Sequence, residues 1–396
     1  MSGPRRCVSA DERRARLGIR HLLAPAHHAQ RMEDVARALV GLHATDPSTV
    51  FLAAAARTSA PEITAMEHAL YEERSLERML CMRRTMFVVP AQLAPVIEAS
   101  TGRAIAAKER AACAVYLRDG VGWSAERYAA VEEDLLAALA ARGEASAAQL
   151  AADVPALREQ VTVAPGKPYE ARQSVSSRIL RVLAAEGRIR RGRPTGRFNS
   201  NQFRWSLSPL AEAADAWESG AAKAELARRY LAAFGPATVE DLKWWTGWTL
   251  TDTRKALAAT GAEPVTLDDG SATGYLLPDD LEPVPAPEPW VALLPSLDPT
   301  PMGWRQRTFH LDAAHVGDLF DRNGNIGPTI WADGRIIGAW AQHPTGRIHT
   351  HLLTDPGPSA RRAVTARARA LAEWLGDLRI TPHYRTPLER RLAQRP

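Results

Sequence analysis

GEASAAQL (Gly143–Leu150) and GPATVEDL (Gly235–Leu242) share one pattern, Gly-[Glu/Pro]-Ala-[Ser/Thr]-x-x-[Gln/Asp]-Leu, about ninety residues apart. Each follows an amphipathic stretch, VEEDLLAALAAR (Val131–Arg142) or AELARRYLAAF (Ala224–Phe234). The glycine suits the left-handed position that ends a helix. Ser146 and Thr238 then suit an N-cap whose reciprocal partner three residues on is Gln149 or Asp241. Each copy therefore reads helix, tight turn, helix.

The residues that follow extend the unit. YEARQSVSSRILRVLAAEG (Tyr169–Gly187) carries Val175, Ile179, Val182 and Leu183 at helical spacing and reads as a third helix. RIRRGRPTGRFNSNQFRWSL (Arg188–Leu207) alternates around a Gly/Pro/Thr turn and reads as a β-hairpin. After the second copy come a helix, TLTDTRKALAAT, and EPVTLDDGSATGYLL, where Asp269-Gly270 is a hairpin turn signal. Three helices and a hairpin make the winged-helix unit; two generic helical hairpins are the alternative. A more divergent third copy is expected at the N-terminus, from ADERRARLGIRHLL through DPSTVFLAAAAR to APEITAMEHALYEE, with Pro61 at a helix start, and the strand-like MLCMRRTMFVVP. Toward the C-terminus, WVALLPSLDPTPMGW and GPTIWADGRIIGAWAQ (turn at Asp333-Gly334) suggest a β-rich, barrel-like domain behind the Pro-rich linker Leu281–Trp290. The expected fold class is mainly α with β. Its expected division is 1–120 (divergent N-terminal winged helix), 121–212 (winged helix with a basic hairpin), 213–282 (third winged helix) and 283–396 (β-rich domain).

A length of 396 residues exceeds what one core usually supports, while 45% hydrophobic and 24% charged residues are those of a soluble globular protein. No two of Cys7, Cys81 and Cys113 are closely spaced, which excludes a thiolate zinc site of usual spacing and argues against a disulfide framework. With no membrane-length apolar run and no signal-peptide core, the expectation is a cytoplasmic protein. HPTGRIHTH offers His343, His349 and His351, the last two sharing a strand face, but lacks a carboxylate partner, so no metal is expected. No P-loop, Rossmann or nucleophile-elbow motif appears, so no cofactor is expected either.

The net charge of +5 becomes informative because the arginines cluster. Arg188, Arg190, Arg191, Arg193, Arg197 and Arg204 face a single acid between Glu186 and Trp205. On a hairpin with Gly192 and Gly196 they would form a narrow, flexible, positive projection suited to the minor groove and phosphates of double-stranded DNA. The alternative is a solvated basic loop, or one docked on an acidic partner. Phosphate contact predicts that alanine at Arg190, Arg191 and Arg193 flattens the salt dependence of binding by about 2 to 3 log–log units. A second basic stretch, RRAVTARARALAEW, reads as a solvated helix face with Arg362, Thr365 and Arg369.

Four stretches, LVGLHATDPSTVFLAAAAR (Leu39–Arg57), MRRTMFVVPAQL (Met82–Leu93), LLPSLDPTPMGWRQR (Leu293–Arg307) and PTIWADGRIIGAW (Pro328–Trp340), occur in this order. In them the chain resembles the winged-helix DNA glycosylases of the AlkZ and YcaQ type, over nearly its whole length. The resemblance implies tandem winged helices and a C-terminal β-rich domain, and excision of alkylated or bulky N7-adducted purines in DNA repair or genotoxin self-resistance. It also implies a site: the family's Gln-x-Gln or Gln-x-Asp follows the Gly-Leu that ends the N-terminal helix. The matching positions here are His43 and Thr45, neither of them the family residue, so His43→Gln restores the family's side chain.

On chemistry alone, a neutral imidazole at His43 can take a proton from water, Asp46 can stabilise an oxocarbenium-like sugar, and Thr45 can hold the water. The structural alternative is that Thr45 or Asp46 caps the next helix, with Pro47 at its first position, and that His43 simply packs. His43 is expected to be partly solvent-accessible beside a basic groove. Arg84 and Asn199 join the hairpin arginines as expected DNA contacts. The leading expectation is a monomeric, monofunctional glycosylase needing no metal or cofactor; the other is a non-catalytic DNA-binding protein, a regulator or damage binder, on the same fold.

Overall fold

In the computed structural model, which describes residues 6–163, 166–167, 170–267 and 272–394, Ser146 and Thr238 both begin helices (Ala147–Asp153 and Val239–Thr246). The Ser146 hydroxyl accepts from the Gln149 amide at 3.2 Å, and Gln149 Oε1 accepts from the Ser146 amide at 2.9 Å. Thr238 and Asp241 repeat this reciprocity at 3.1 and 3.0 Å. Two helix-end amides are thus satisfied in each copy by side chains three residues apart. Asp241 does more than Gln149: fully buried, its other oxygen accepts from the amides of Arg305 and Gln306 at 2.9 and 3.0 Å.

The glycines part company. Gly143 has the expected positive φ (+71°), whereas Gly235 is extended (φ −69°, ψ 145°). A Cβ at Gly235 would stand 2.5 Å from the Leu231 carbonyl oxygen, so close approach, not a left-handed turn, requires glycine there.

Around these copies the helices Ala125–Arg142, Ala147–Asp153 and Val175–Ala185 precede a hairpin, Ile189–Pro194 with Phe203–Leu207. Ala145–Ser146 pairs with its second strand. The third helix is shorter than expected because Gln160–Val163 and Ala171–Ser174 form a further antiparallel hairpin before it, leaving Ser174 as the cap. In the second copy, Ser219–Phe234, Val239–Thr246 and Leu250–Ala259 precede the antiparallel strands Glu263–Leu267 and Ala272–Leu276. The Asp269-Gly270 turn lies outside the described residues. Cys7–Val8 adds a parallel strand to this sheet, so the start of the chain is tied to the third unit.

The N-terminal region has helices Ala10–Arg20, Met32–Ala38, Pro47–Ala55 and Ile63–Tyr71, and a sheet ordered Leu42–His43, Thr85–Pro90, Leu76–Cys81. Pro61 precedes the cap Glu62 and does not open its helix.

The C-terminal β-rich region is not a barrel. Among the described residues its strands Val291–Leu294, Thr329–Ala332, Arg335–Gln342 and Ile348–Leu352 form an open antiparallel sheet in that order. Alternation explains why it stays open. Ala292, Leu294, Trp331 and Ala339 enter one core with the third unit, while Val291, Leu293, Ile330 and Trp340 enter another with the N-terminal helices. A sheet buried on both faces needs no closure to hide its apolar side. The middle unit keeps a separate core, from Cys113 to Trp205.

Candidate active-site cleft

The hairpin Leu76–Cys81/Thr85–Pro90 turns through Arg83 and Arg84, both left-handed (φ 53° and 61°). Such angles cost roughly 1 kcal/mol or more for residues with a Cβ. Contacts from later parts of the chain hold them: Arg83 stacks 3.9 Å over the Trp244 ring, and Arg84 pairs with Glu109 of the helix Arg103–Val121. Leu42 and His43 add on the other side of Thr85–Pro90, opposite Val88 and Phe87. Gly41 permits this, since a Cβ there would lie 2.8 Å from Val89 Cγ1.

The chain then leaves the sheet into the helix Pro47–Ala55. Asp46 is its cap, with Pro47 at the first helical position. Asp46 Oδ1 accepts from the Ser48 amide (2.9 Å) and hydroxyl (2.6 Å), and Oδ2 from the His383 amide (2.9 Å). Its carboxylate is thereby committed to the helix start and to the C-terminal segment that carries His383.

His43 does not face solvent. It is 3% exposed, its ring centroid lies 4.6 Å from that of Phe87, and neither nitrogen has a hydrogen-bond partner. Burial, with Arg83 adding repulsion, lowers its pKa to about 3. The expectation of an accessible imidazole is corrected: His43 sits on the sheet face under Phe87, where water does not reach. The unfolded value is near 6.5, so the unfolded chain binds the proton first. His43 thus contributes stability in full above about pH 6.5 and loses it progressively toward pH 3, at about 1.4 kcal/mol per pH unit. Urea unfolding at pH 7 and pH 5 checks this: His43→Gln should lose about 2 kcal/mol less than the parent between them, whereas equal losses would mean that the imidazole is not held neutral.

Thr45 does reach an opening. It lines a cleft of about 380 Å³ together with Arg78, Arg84, Arg181, Arg191, Phe203, His383 and Tyr384. Three parts of the chain meet there: the N-terminal sheet, the middle unit's third helix and hairpin, and the segment after the C-terminal helix. The guanidinium groups of Arg78 and Arg191 lie 4.8 and 5.4 Å from the Phe203 ring centroid. Glu109 bridges Arg84 and Arg181 from behind.

The arginine hairpin is not a flexible projection. Arg190 bonds Glu77 at 2.9 Å, Arg193 pairs with Glu67 and Glu72, and Arg204 with Glu144 at 2.9 Å. Its connecting loop is anchored by Phe198, 1% exposed and stacked 4.3 Å from Phe51. Asn199 donates to the Arg379 carbonyl, Arg188 lies 4.0 Å from Glu132, and Arg197 is exposed. Of the hairpin arginines only Arg191 faces the cleft. Alanine at Arg190 and Arg193 together is therefore expected to change the log–log salt slope of duplex binding by well under one unit; a drop of two would mean that DNA displaces Glu67, Glu72 and Glu77.

Sequence reasoning brought Thr45, Arg84 and Arg191 to this cleft and missed Arg78, Arg181, His383 and Tyr384. Arg181 was detectable as part of the third helix's polar face; Arg78, next to Glu77 in a strand, and His383 and Tyr384 carried no local signal. His343 and His349 stack at 5.2 Å, and no cluster able to hold a metal ion occurs among the described residues. No helix there is long and apolar enough to cross a membrane.

Residues 36–374 match the family model described as "DNA glycosylase AlkZ-like". No curated protein matches the chain. Among solved structures, the Streptomyces sahachiroi DNA glycosylase AlkZ is similar at 21% identity with a TM-score of 0.69, over 94% of this chain and 98% of that one. At that identity the likeness shows the fold alone, but the family match spans most of the sequence and takes in Thr45, Arg78, Arg181 and Arg191: the chain belongs to the AlkZ-like family of DNA glycosylases.

Proposed function

We propose that the protein is a monofunctional, monomeric DNA glycosylase built from tandem winged helices, which hydrolyses the N-glycosidic bond of alkylated or bulky N7-adducted purines in double-stranded DNA, in repair or genotoxin self-resistance. The observation that carries this reading is the basic cleft with Thr45 in its wall, a position that the sequence resemblance matches to the family's signature. Its volume of about 380 Å³ is that of a small-molecule site. A 7-alkylated guanine is already cationic and leaves without acid assistance. The water oxygen bonds to C1′, the C1′–N9 bond breaks with its electron pair going to the base, and the water's proton needs an acceptor.

His43 is a poor acceptor, being buried and weakly basic, and Asp46 already accepts three hydrogen bonds. His383 is exposed on the cleft wall. In this reading His383 takes the proton, Thr45 orients the water, and Asp46 positions His383 through its backbone amide. No cofactor is invoked.

The buried His43 and the committed Asp46 are also what favour the second reading, a non-catalytic DNA-binding protein on the same fold. Incubation with duplex carrying 7-methylguanine or a bulkier N7 adduct decides between them. Release of free base supports the enzyme; tight binding without release supports the binder.

A further inference from the structure

Arg78 is 8% exposed, and its Nε and Nη2 make no well-formed hydrogen bond; Nη1 donates to the Ala44 carbonyl at 3.3 Å, and the neighbouring Tyr71 hydroxyl is a weak further acceptor. In the same cleft wall the Nε of Arg191 and the hydroxyl of Thr45 are buried and unpartnered. Among the described residues neither Arg78 nor Arg191 has a carboxylate partner, in contrast to Arg84, Arg181, Arg190 and Arg193. Asp46, the acid that acts on Arg78, is occupied by three donors. Two like charges held together without an acid, with donors turned away from water, are costly unless an anion completes them.

We propose that Arg78 and Arg191 form a seat for one backbone phosphodiester of the DNA strand whose base is being excised. This deepens the reading of the cleft given above and rests on it for the DNA. Guanidinium donors match the oxygens of a phosphate in number and geometry. Chemistry gives a second reason. Glycosidic cleavage builds positive charge on the sugar, and bare arginines beside it would oppose that. A phosphodiester on Arg78 and Arg191 offsets one of their two positive charges and so lowers the opposition beside the reacting nucleotide.

The test is the salt dependence of undamaged duplex binding for the full chain, its Arg191→Gln and Arg78→Gln/Arg191→Gln variants, and Arg193→Gln as a control. One shared phosphate predicts that the double variant lowers the log–log slope by about 0.9. A fall of about 1.8 would mean two separate phosphate contacts, and an unchanged slope none; either overturns the proposal. Because Arg78 is buried, Arg191→Gln alone provides the second measurement. In the parent, inorganic phosphate at matched ionic strength should raise the thermal midpoint, and Arg191→Gln should abolish the rise. A midpoint raised by phosphate with an unchanged duplex slope would assign the seat to a free anion instead of DNA. Base release is read in neither assay, so a catalytically silent protein leaves these outcomes intact.

Discussion

Asp298→Ala is expected to lower the unfolding free energy by about 3–5 kcal/mol, because it strands a buried charge. Arg57 and Asp298 are both fully buried, and their bidentate contact runs at 2.7 and 2.8 Å. All five guanidinium N–H groups are used, the others going to the carbonyls of His21 and Ala53 and to the Thr300 hydroxyl. The protons can be followed further. His21 Nε2 faces the Ala233 carbonyl at 3.1 Å and must donate, so Nδ1 accepts from Thr300 Oγ1 at 2.8 Å. That requires a neutral ring, and burial together with Arg57 holds the His21 pKa at about 3. One network thus joins the N-terminal region, the third unit and the open sheet domain. Its value lies in completeness more than in net attraction, so Arg57→Met/Asp298→Leu should cost less than half of what Asp298→Ala costs. Urea unfolding of the three proteins tests this; a single variant within about 1 kcal/mol of the parent would mean that water reaches Arg57.

What was legible in the sequence is what depends on near neighbours. The capping boxes at Ser146 and Thr238 are closed by residues three positions away, so the repeat could be read and its helix starts located. Distant partners decided the rest. The arginine hairpin could be read for its charge, but Glu67, Glu72 and Glu77, which neutralise much of it, lie more than a hundred positions earlier in the chain. Phe198 looks like a loop residue among arginines, and only the meeting of the helices Pro47–Ala55 and Gly357–Leu375 makes it core. Apolar strands near the C-terminus suggested a barrel because nothing local records that two different cores claim their two faces. At the site, His43 ends the strand under Phe87, while Thr45, two residues on, reaches the cleft. The histidine on the cleft wall came from 340 positions further on.

That histidine carries the larger catalytic expectation. His383→Ala should lower base release from an N7-alkylated duplex by about 10²-fold or more, the usual cost of losing a general base. The change should fall mainly on the single-turnover rate. Duplex affinity should move little, since the phosphate contacts are assigned to arginines. A purely structural role predicts something different: the backbone amide of His383, which bonds Asp46, survives in the alanine variant, so the segment should stay in place and the rate with it. Rescue separates the two further, because added imidazole should restore part of a rate lost with a proton acceptor whereas a packing defect should not respond. His43→Gln should behave in the opposite way, altering acid stability while leaving the rate within several-fold. Full activity in His383→Ala would sink the assignment.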